Sequence, residues 1–342
     1  MAKTNHSSVS IITNPPFSDF ILSVTNATSF EVQEVIQELW SGYGQILRLR
    51  LHGSLEQTVV AKYINLPDTA NHPRGWNTNL SHQRKVRSYQ VEAHFYQHQS
   101  KNRNCHCRTP QLLGSFQEGE QTLLLLEDLD ASGYPLRLTS VTPQQVDLCL
   151  RWLAEFHAAF LTESSSMPSV SEGLWEVGTY WHLATRPDEL VALDDESLKA
   201  AAPIIDSLLS KARYQTLVHG DAKLANFCFS KDADEVAALD FQYVGAGCGM
   251  KDVAYFLGSC LDEHTIEAQE SQLLDTYFGY LTECLHCCQS AFDVTAVIAE
   301  WRSLYPYAWT DFHRFLKGWC PTHWKLNSYS EKMMRRVVKE LV

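Results

Sequence analysis

The sequence predicts an α+β protein of two lobes, one strand-rich and N-terminal, the other mainly helical and C-terminal. Three observations lead there. The chain has 342 residues, beyond the roughly 100–200 that one core usually organises. Short apolar and β-branched runs punctuated by turn residues fill the first third. Beyond Pro143 the apolar residues recur at helical spacing. The division falls near residue 127, giving residues 1–127 to the N-terminal lobe and 128–342 to the C-terminal one.

Composition narrows the function classes. The chain is 45% hydrophobic and 20% charged, which supports a sizeable core and excludes disorder over most of its length. Its formal charge is -12, from 28 Lys+Arg against 40 Asp+Glu. Nucleic-acid binding relies on a surplus of cations that release counterions from phosphate, so no nucleic-acid partner is expected. Met1 to Ser10 is polar and carries no apolar core of a signal peptide. The longest aliphatic run, Leu123 to Leu126, is far short of the roughly 20 residues that span a bilayer. A cytoplasmic protein without a membrane span is the expectation; oligomeric state is not legible. The 10 cysteines are irregularly spaced, which points to a reducing compartment. Two clusters, Cys105-His106-Cys107 and Cys284 with Cys287 and Cys288, lack the two separated pairs of a zinc site, so packing or a surface thiol is expected.

Taken in order, Val32, Val35, Ile36 and Leu39 have helical spacing yet fit one half-buried strand equally well. Gln45 to Leu51 and Gln57 to Ile64 read as strands of a hairpin joined by a Gly-Ser turn. Pro67 to Leu80 reads as a loop. From Ser81 to Gln99 the pattern is helical, with Tyr89, Glu92, Ala93 and Tyr96 on one face. Thr122 to Leu126 is a short apolar strand ending at Glu127-Asp128, and Gln144 to Phe160 is an amphipathic helix.

The chemistry is concentrated between residues 217 and 260. An apolar strand, Tyr214 to Val218, delivers His219-Gly220-Asp221 to a loop, and Asn226 follows five residues after Asp221. A β-like segment, a polar turn at 231–235 and a second apolar segment then lead to Asp240. This is a hairpin with carboxylate, carboxamide and carboxylate at its open end. Phosphoryl transfer needs such a set: one carboxylate to orient and deprotonate the attacking hydroxyl, and an Asn oxygen with a second carboxylate to hold magnesium over the nucleotide phosphates.

His219-Gly220-Asp221, Asn226 and Asp240-Phe241-Gln242 resemble the catalytic and metal loops of the protein-kinase-like small-molecule phosphotransferases. That group includes aminoglycoside phosphotransferases, choline kinases and ecdysteroid-kinase-like proteins. The resemblance implies a bilobal kinase-like fold using ATP and magnesium. Asp221 would be the base, Asn226 and Asp240 the metal ligands, and His219 a buttress. Asp252 would brace the catalytic loop, or simply cap the helix that it opens. Lys223 departs from the apolar residue common near this position in the family; a lysine there in serine/threonine protein kinases touches the transferred phosphate, and Lys223 is a candidate for that role. Gln242 stands where a protein kinase has Gly, and Asp252 follows only twelve residues after Asp240, leaving no room for a peptide-docking activation segment.

Upstream residues fit the same resemblance in order. Lys62 lies in an apolar strand, where a lysine is costly unless paired, and Glu92 lies on the apolar face of the next helix. Their pairing would solve both problems and resembles the ion pair that positions ATP phosphates in kinase folds. Ser41-Gly42-Tyr43-Gly44 stands where a phosphate-covering loop belongs, so Gly42 and Gly44 are nucleotide-site candidates. The backbone of Glu127 and Leu129 resembles the hinge that meets the adenine edge.

The acceptor is expected to be a small molecule bearing a hydroxyl. Six of the 9 tryptophans, at 175, 181, 301, 309, 319 and 324, lie in the non-catalytic parts of the helical lobe. They read as core, or as a cage for a quaternary amine or a wall for a flat acceptor. Asp311, Glu300 and Glu172 could receive a cation, and Arg186 and His182 could line the same pocket. Rival readings are a nucleotide- or partner-binding pseudokinase, a protein kinase, and a nucleotidyl transferase on the same fold.

Overall fold

The computed structural model describes residues 8–39, 42–66, 79–100, 107–287 and 291–342. Ser41, the loop residues 67–78, Cys105, His106 and Cys288 lie outside them. Contacts divide the chain into two compact units, one within Met1–Asn102 and Thr109–Pro135, the other within Arg103–Arg108 and Leu136–Val342.

The first unit runs α1 (Ser8–Ile12), α2 (Phe17–Thr25), β1 (Ser29–Glu38), β2 (Gly44–His52), β3 (Thr58–Asn65), α3 (Asn79–His94), a π-turn (Phe95–Gln99), β4 (Leu112–Glu118) and β5 (Gln121–Glu127). Its five strands form one antiparallel sheet in the order β1-β2-β3-β5-β4. Alternate residues of the central strands meet α1 and α2: Leu47, Leu49, Val59, Ala61, Tyr63, Leu123 and Leu125 are buried with Ile12, Phe17 and Ile21. The segment with ambiguous spacing is strand β1. Two irregularities in its register against β2, between Val32 and Glu34 and between Val35 and Gln37, break the two-residue alternation. Phe30 and Val32 pack on the core, while Val35 and Ile36 are exposed on this edge strand.

The second unit contains α4 (Pro143–Phe160), β6 (Thr162–Glu163), α5 (Met167–Val170), α6 (Pro187–Val191), α7 (Glu196–Ser210), β7 (Tyr214–Val218), β8 (Phe227–Phe229), β9 (Val236–Ala238), β10 (Gly245–Gly247), α8 (Met250–Cys260), α9 (Glu263–Cys287), α10 (Val294–Trp319) and α11 (Ser328–Leu341). Helix α4 starts with a capping box: Thr142 accepts from the Gln145 amide and Gln145 accepts from the Thr142 amide. Strand β7 is buried along its whole length between β10 and β6. The small hairpin β8–β9 carries the residues on either side of it to one end. No helix among the described residues is long and apolar enough to cross a membrane.

Candidate active site

Strand β7 ends at Val218 and the chain turns at once into the loop that carries Asp221. The turn needs a residue without a side chain. Gly220 has φ of +79°, and a Cβ there would stand 2.1 Å from the Tyr243 carbonyl oxygen. The loop is fastened by Asp252, whose buried carboxylate accepts from the His219 amide at 2.5 Å and the Gly220 amide at 3.0 Å. His157 Nε2 approaches the same carboxylate at 3.1 Å, and its Nδ1 meets the Tyr277 hydroxyl at 2.8 Å. Gly249, not Asp252, is the cap residue of α8. Of the two readings of Asp252, bracing the loop is what the geometry contains, because its lone pairs are turned back toward β7.

His219 is fixed by partners of opposite kind. Its Nε2 lies 3.0 Å from the Leu239 carbonyl, which can only accept, and its Nδ1 accepts from the Asp221 amide at 3.3 Å. The ring packs against Phe241 and Trp152. His219 therefore joins the Asp221 loop to the segment ending in Asp240.

Asp221 is buried and held by three donors. Oδ1 accepts from the Tyr255 hydroxyl at 3.0 Å; Oδ2 accepts from Lys223 Nζ at 2.8 Å and Asn226 Nδ2 at 3.1 Å. Asn226 Nδ2 also donates to the Asp221 carbonyl at 2.8 Å, which turns the other side-chain atom, Oδ1, away as an acceptor. Burial pulls the Lys223 ammonium down, but the Asp221 charge and hydrogen bond, with Asp240 behind them, outweigh it and leave the pKa raised. Lys223 is thus a protonated partner of Asp221. The Leu239 amide donates to the Asn226 carbonyl at 3.0 Å, so the backbone ties Asp240 closely to Asn226. Asp240 itself has φ of +70°, a strained conformation for a residue with a Cβ, and such strain clusters at functional sites.

Among the described residues no three His, Cys, Asp or Glu side chains form a metal cage. Magnesium does not ask for one. It keeps octahedral oxygen geometry with one or two carboxylates, substrate phosphates and water. The Asp240 carboxylate and the Asn226 carboxamide oxygen are hard oxygen donors of the kind that fits.

In the first unit, Lys62 Nζ lies 2.8 and 2.6 Å from the two Glu92 carboxylate oxygens, both side chains being buried. The Tyr89 ring lies 5.8 Å from the same ammonium. Gly42 sits in the tight turn between β1 and β2, where its amide donates to Leu39 at 3.2 Å and the Leu39 amide donates to Gly44 at 2.9 Å. Gly44 opens β2, and a Cβ there would collide with the Tyr63 carbonyl oxygen at 2.0 Å. Glu127 ends β5 with its amide on the Gln111 carbonyl at 2.9 Å, and the Leu129 carbonyl accepts from Tyr134 at 2.8 Å. Between them Asp128 is anchored by Arg48 and Thr58, each at 2.7 Å.

Several acceptor-side candidates are committed elsewhere. Glu300 accepts the Arg213 and Tyr214 amides at 2.8 and 2.9 Å, so it caps a strand end. Asp311 is buried against Arg314 at 2.7 Å and the Trp181 indole at 3.2 Å. Arg186 donates to Tyr180 and Glu189, and His182 lies 3.2 Å from Asp206. Trp181 and Trp301 are core, whereas Trp324 is 63% exposed. Sequence reasoning missed Tyr255 and Lys325. Tyr255 was legible as the i+3 neighbour of Asp252 on α8, sharing its face. Lys325 had no local signal.

The family model described as the ecdysteroid kinase-like family matches residues 177–290, the segment that holds Asp221, Lys223, Asn226, Asp240 and Asp252. Among solved structures, an ethanolamine kinase of Plasmodium vivax aligns over 95% of this chain and 90% of its own, with 12% identity and a TM-score of 0.50. A wild-type aminoglycoside 2'-phosphotransferase-IIIa, solved as its GDP complex, aligns over 95% of this chain and 98% of its own, with 12% identity and a TM-score of 0.50. No curated protein gives a significant sequence match. At such identities the structural likeness speaks for the fold, and the family match for about a third of the chain. On both grounds the chain has a protein-kinase-like fold and resembles the protein-kinase-like small-molecule phosphotransferases.

Proposed function

We propose that this chain transfers the γ-phosphoryl group of ATP to a hydroxyl of a small organic molecule, with magnesium as the cofactor. The observation that carries the reading is the set of three donors on Asp221. A carboxylate offers about four lone-pair directions, and Tyr255, Lys223 and Asn226 occupy three. The remaining direction suits an acceptor hydroxyl, which Asp221 would orient and relieve of its proton as the new P–O bond forms. Lys223, already protonated and adjacent, would meet the negative charge of the transferring phosphoryl group. Bound magnesium would neutralise charge on the nucleotide phosphates; Asp240 and Asn226 would hold it. Lys62, kept in place by Glu92, would bind the nucleotide phosphates, with Gly42, Gly44 and the backbone of Glu127 and Leu129 contributing to the nucleotide site. The eleven residues from 241 to 251 are taken up by the lead into β10, β10 itself, the turn at 248–249 and the first two residues of α8, which favours a small acceptor over a peptide.

The test is a transfer assay with the purified chain, magnesium and ATP, run against panels of alcohols, amino-alcohols, hydroxy acids, sugars and nucleosides. GTP is included because one structural relative was solved with GDP. An acceptor-dependent phosphorylated product is the expected result. Asp221→Asn should stay folded, bind nucleotide and lose about 10²- to 10⁴-fold in turnover. Wild-type turnover by that variant on a true acceptor would remove Asp221 from the role of base.

A further inference from the structure

Lys325 lies between α10 and α11, in a turn that brings it against α8. Its ammonium is 4.6 Å from the ring centre of Tyr255, 5.5 Å from Phe312 and 5.5 Å from Trp324. Tyr255 is the residue whose hydroxyl holds Asp221. Among the described residues the Lys325 ammonium makes no hydrogen bond and no ion pair; three aromatic faces are its contacts. Asp221 and Lys223 are both near enough to act on its charge. The aromatic group that would make a cage for an alkylammonium acceptor already contains a cation, supplied by the chain itself.

Resting on the phosphotransferase reading above, we propose that Lys325 is a specificity determinant of the acceptor site, and that the acceptor bears an anionic group, such as a carboxylate or sulfate, near the hydroxyl that is phosphorylated. A partly buried ammonium with only aromatic partners lacks the counter-charge that shielded cations normally have. The carboxylate that acts on it, Asp221, is already engaged by Lys223. An anionic acceptor supplies what is missing. An ammonium acceptor meets repulsion from Lys325 and Lys223 and finds its aromatic seat filled. Trp324, exposed at the rim, leaves that seat reachable from solvent.

The groups that face Lys325 are Asp221 and Lys223 from the catalytic loop, Tyr255 and Cys260 from α8, and His323 from its own turn. Burial is the largest influence on the ammonium, which is pushed down to about 8, with Lys223 adding to the fall and Asp221 opposing it. It is charged at neutral pH and loses that charge within a range open to experiment.

Three probes on one scaffold test the assignment: 4-(hydroxymethyl)benzoate, 4-(hydroxymethyl)benzamide and 4-(hydroxymethyl)benzylamine. Binding to the full chain is measured by calorimetry with magnesium and a non-hydrolysable ATP analogue, and phosphorylation is followed separately with ATP. The benzoate should bind at least about tenfold more tightly than the benzylamine. Lys325→Met should abolish the preference, and Lys325→Arg should keep it. In the wild type the preference should fade as pH rises through about 8, and in Lys325→Arg it should persist. Equal affinity for the three probes, tighter binding of the benzylamine, no binding of the benzoate, or a preference unchanged in Lys325→Met overturns the assignment. The wild-type ranking decides even where a variant fails to fold. The benzoate preference without transfer to any probe supports this assignment while counting against the phosphotransferase reading; transfer to the benzylamine in preference to the benzoate does the reverse.

Discussion

On the proposed reading, Asp221, Asn226 and Asp240 would divide between them two oxygen tasks, holding a proton's donor and holding a cation, and the bonds of Asn226 accord with it. Asn226 spends its amide nitrogen on Asp221 and keeps its oxygen for other work. Asp240 brings a full negative charge where Asn226 brings a dipole. Asp240→Ala should therefore weaken magnesium-dependent nucleotide binding at least about tenfold more than Asn226→Ala. Calorimetric titration of ATP at several magnesium concentrations reads this directly, and unchanged magnesium–ATP affinity in the Asp240 variant would take it out of the metal site. The spacing of these three residues was legible because they lie within twenty positions of each other on a single strand–loop–hairpin. Lys325 was not, because about a hundred residues separate it from Asp221 and only the packing of α10 and α11 returns it.

Pairs of elements are joined by buried charges that neither element tolerates alone. Lys62 in β3 and Glu92 in α3 are within 2.6 Å of each other, and removing one leaves the other desolvated, at a cost on the order of 3 kcal/mol. Lys62→Met and Glu92→Gln should each lower thermal stability and ATP affinity, and the double variant should fall short of the summed losses. Small, additive effects across the cycle would reduce the pair to an incidental contact. Helices α10 and α11 are linked differently. His313 is buried 3.3 Å from Glu331, without the alignment of a hydrogen bond, and burial above all holds its pKa well below the ordinary value. The unfolded chain then takes up this proton at a higher pH than the folded one does. The His313 contribution is thus fully present above the ordinary histidine range, about 6.5, and is lost as pH falls below it. His313→Gln should flatten the decline of the unfolding midpoint over that interval; an identical pH profile in both proteins would show that His313 does not drive it. The helices and hairpins themselves were readable from periodicity. Strand β1 resisted because its two register irregularities imitate helical spacing over a short stretch.

Across the whole chain, alternation and turn residues sufficed for the strand-rich and helical regions, since burial of one face imposes its period on the sequence. What periodicity does not encode is which interior polar group each charged residue finds. Glu300 and Asp311 stood as candidates to receive a cationic acceptor and instead close strand and helix contacts inside the second unit. Asp252 has the widest reach of this kind, touching α4 through His157 and the catalytic loop through two amides. Its variants should behave unlike those of Asp221 in a living cell. Asp221→Asn should leave a chain that folds and accumulates, its defect, on the proposed reading, being one of rate. Asp252→Ala strands two buried amides and a histidine, a loss of about 3 kcal/mol or more, enough to hand much of the newly made protein to quality control. Expressed side by side, the first should give normal abundance with little turnover and the second low abundance, measured by immunoblot against total protein. Equal steady-state levels would mean that the loop tolerates the loss of its anchor. In a collection of inactive alleles, those at position 252 would then be found by loss of the protein, and those at 221 by its silent presence.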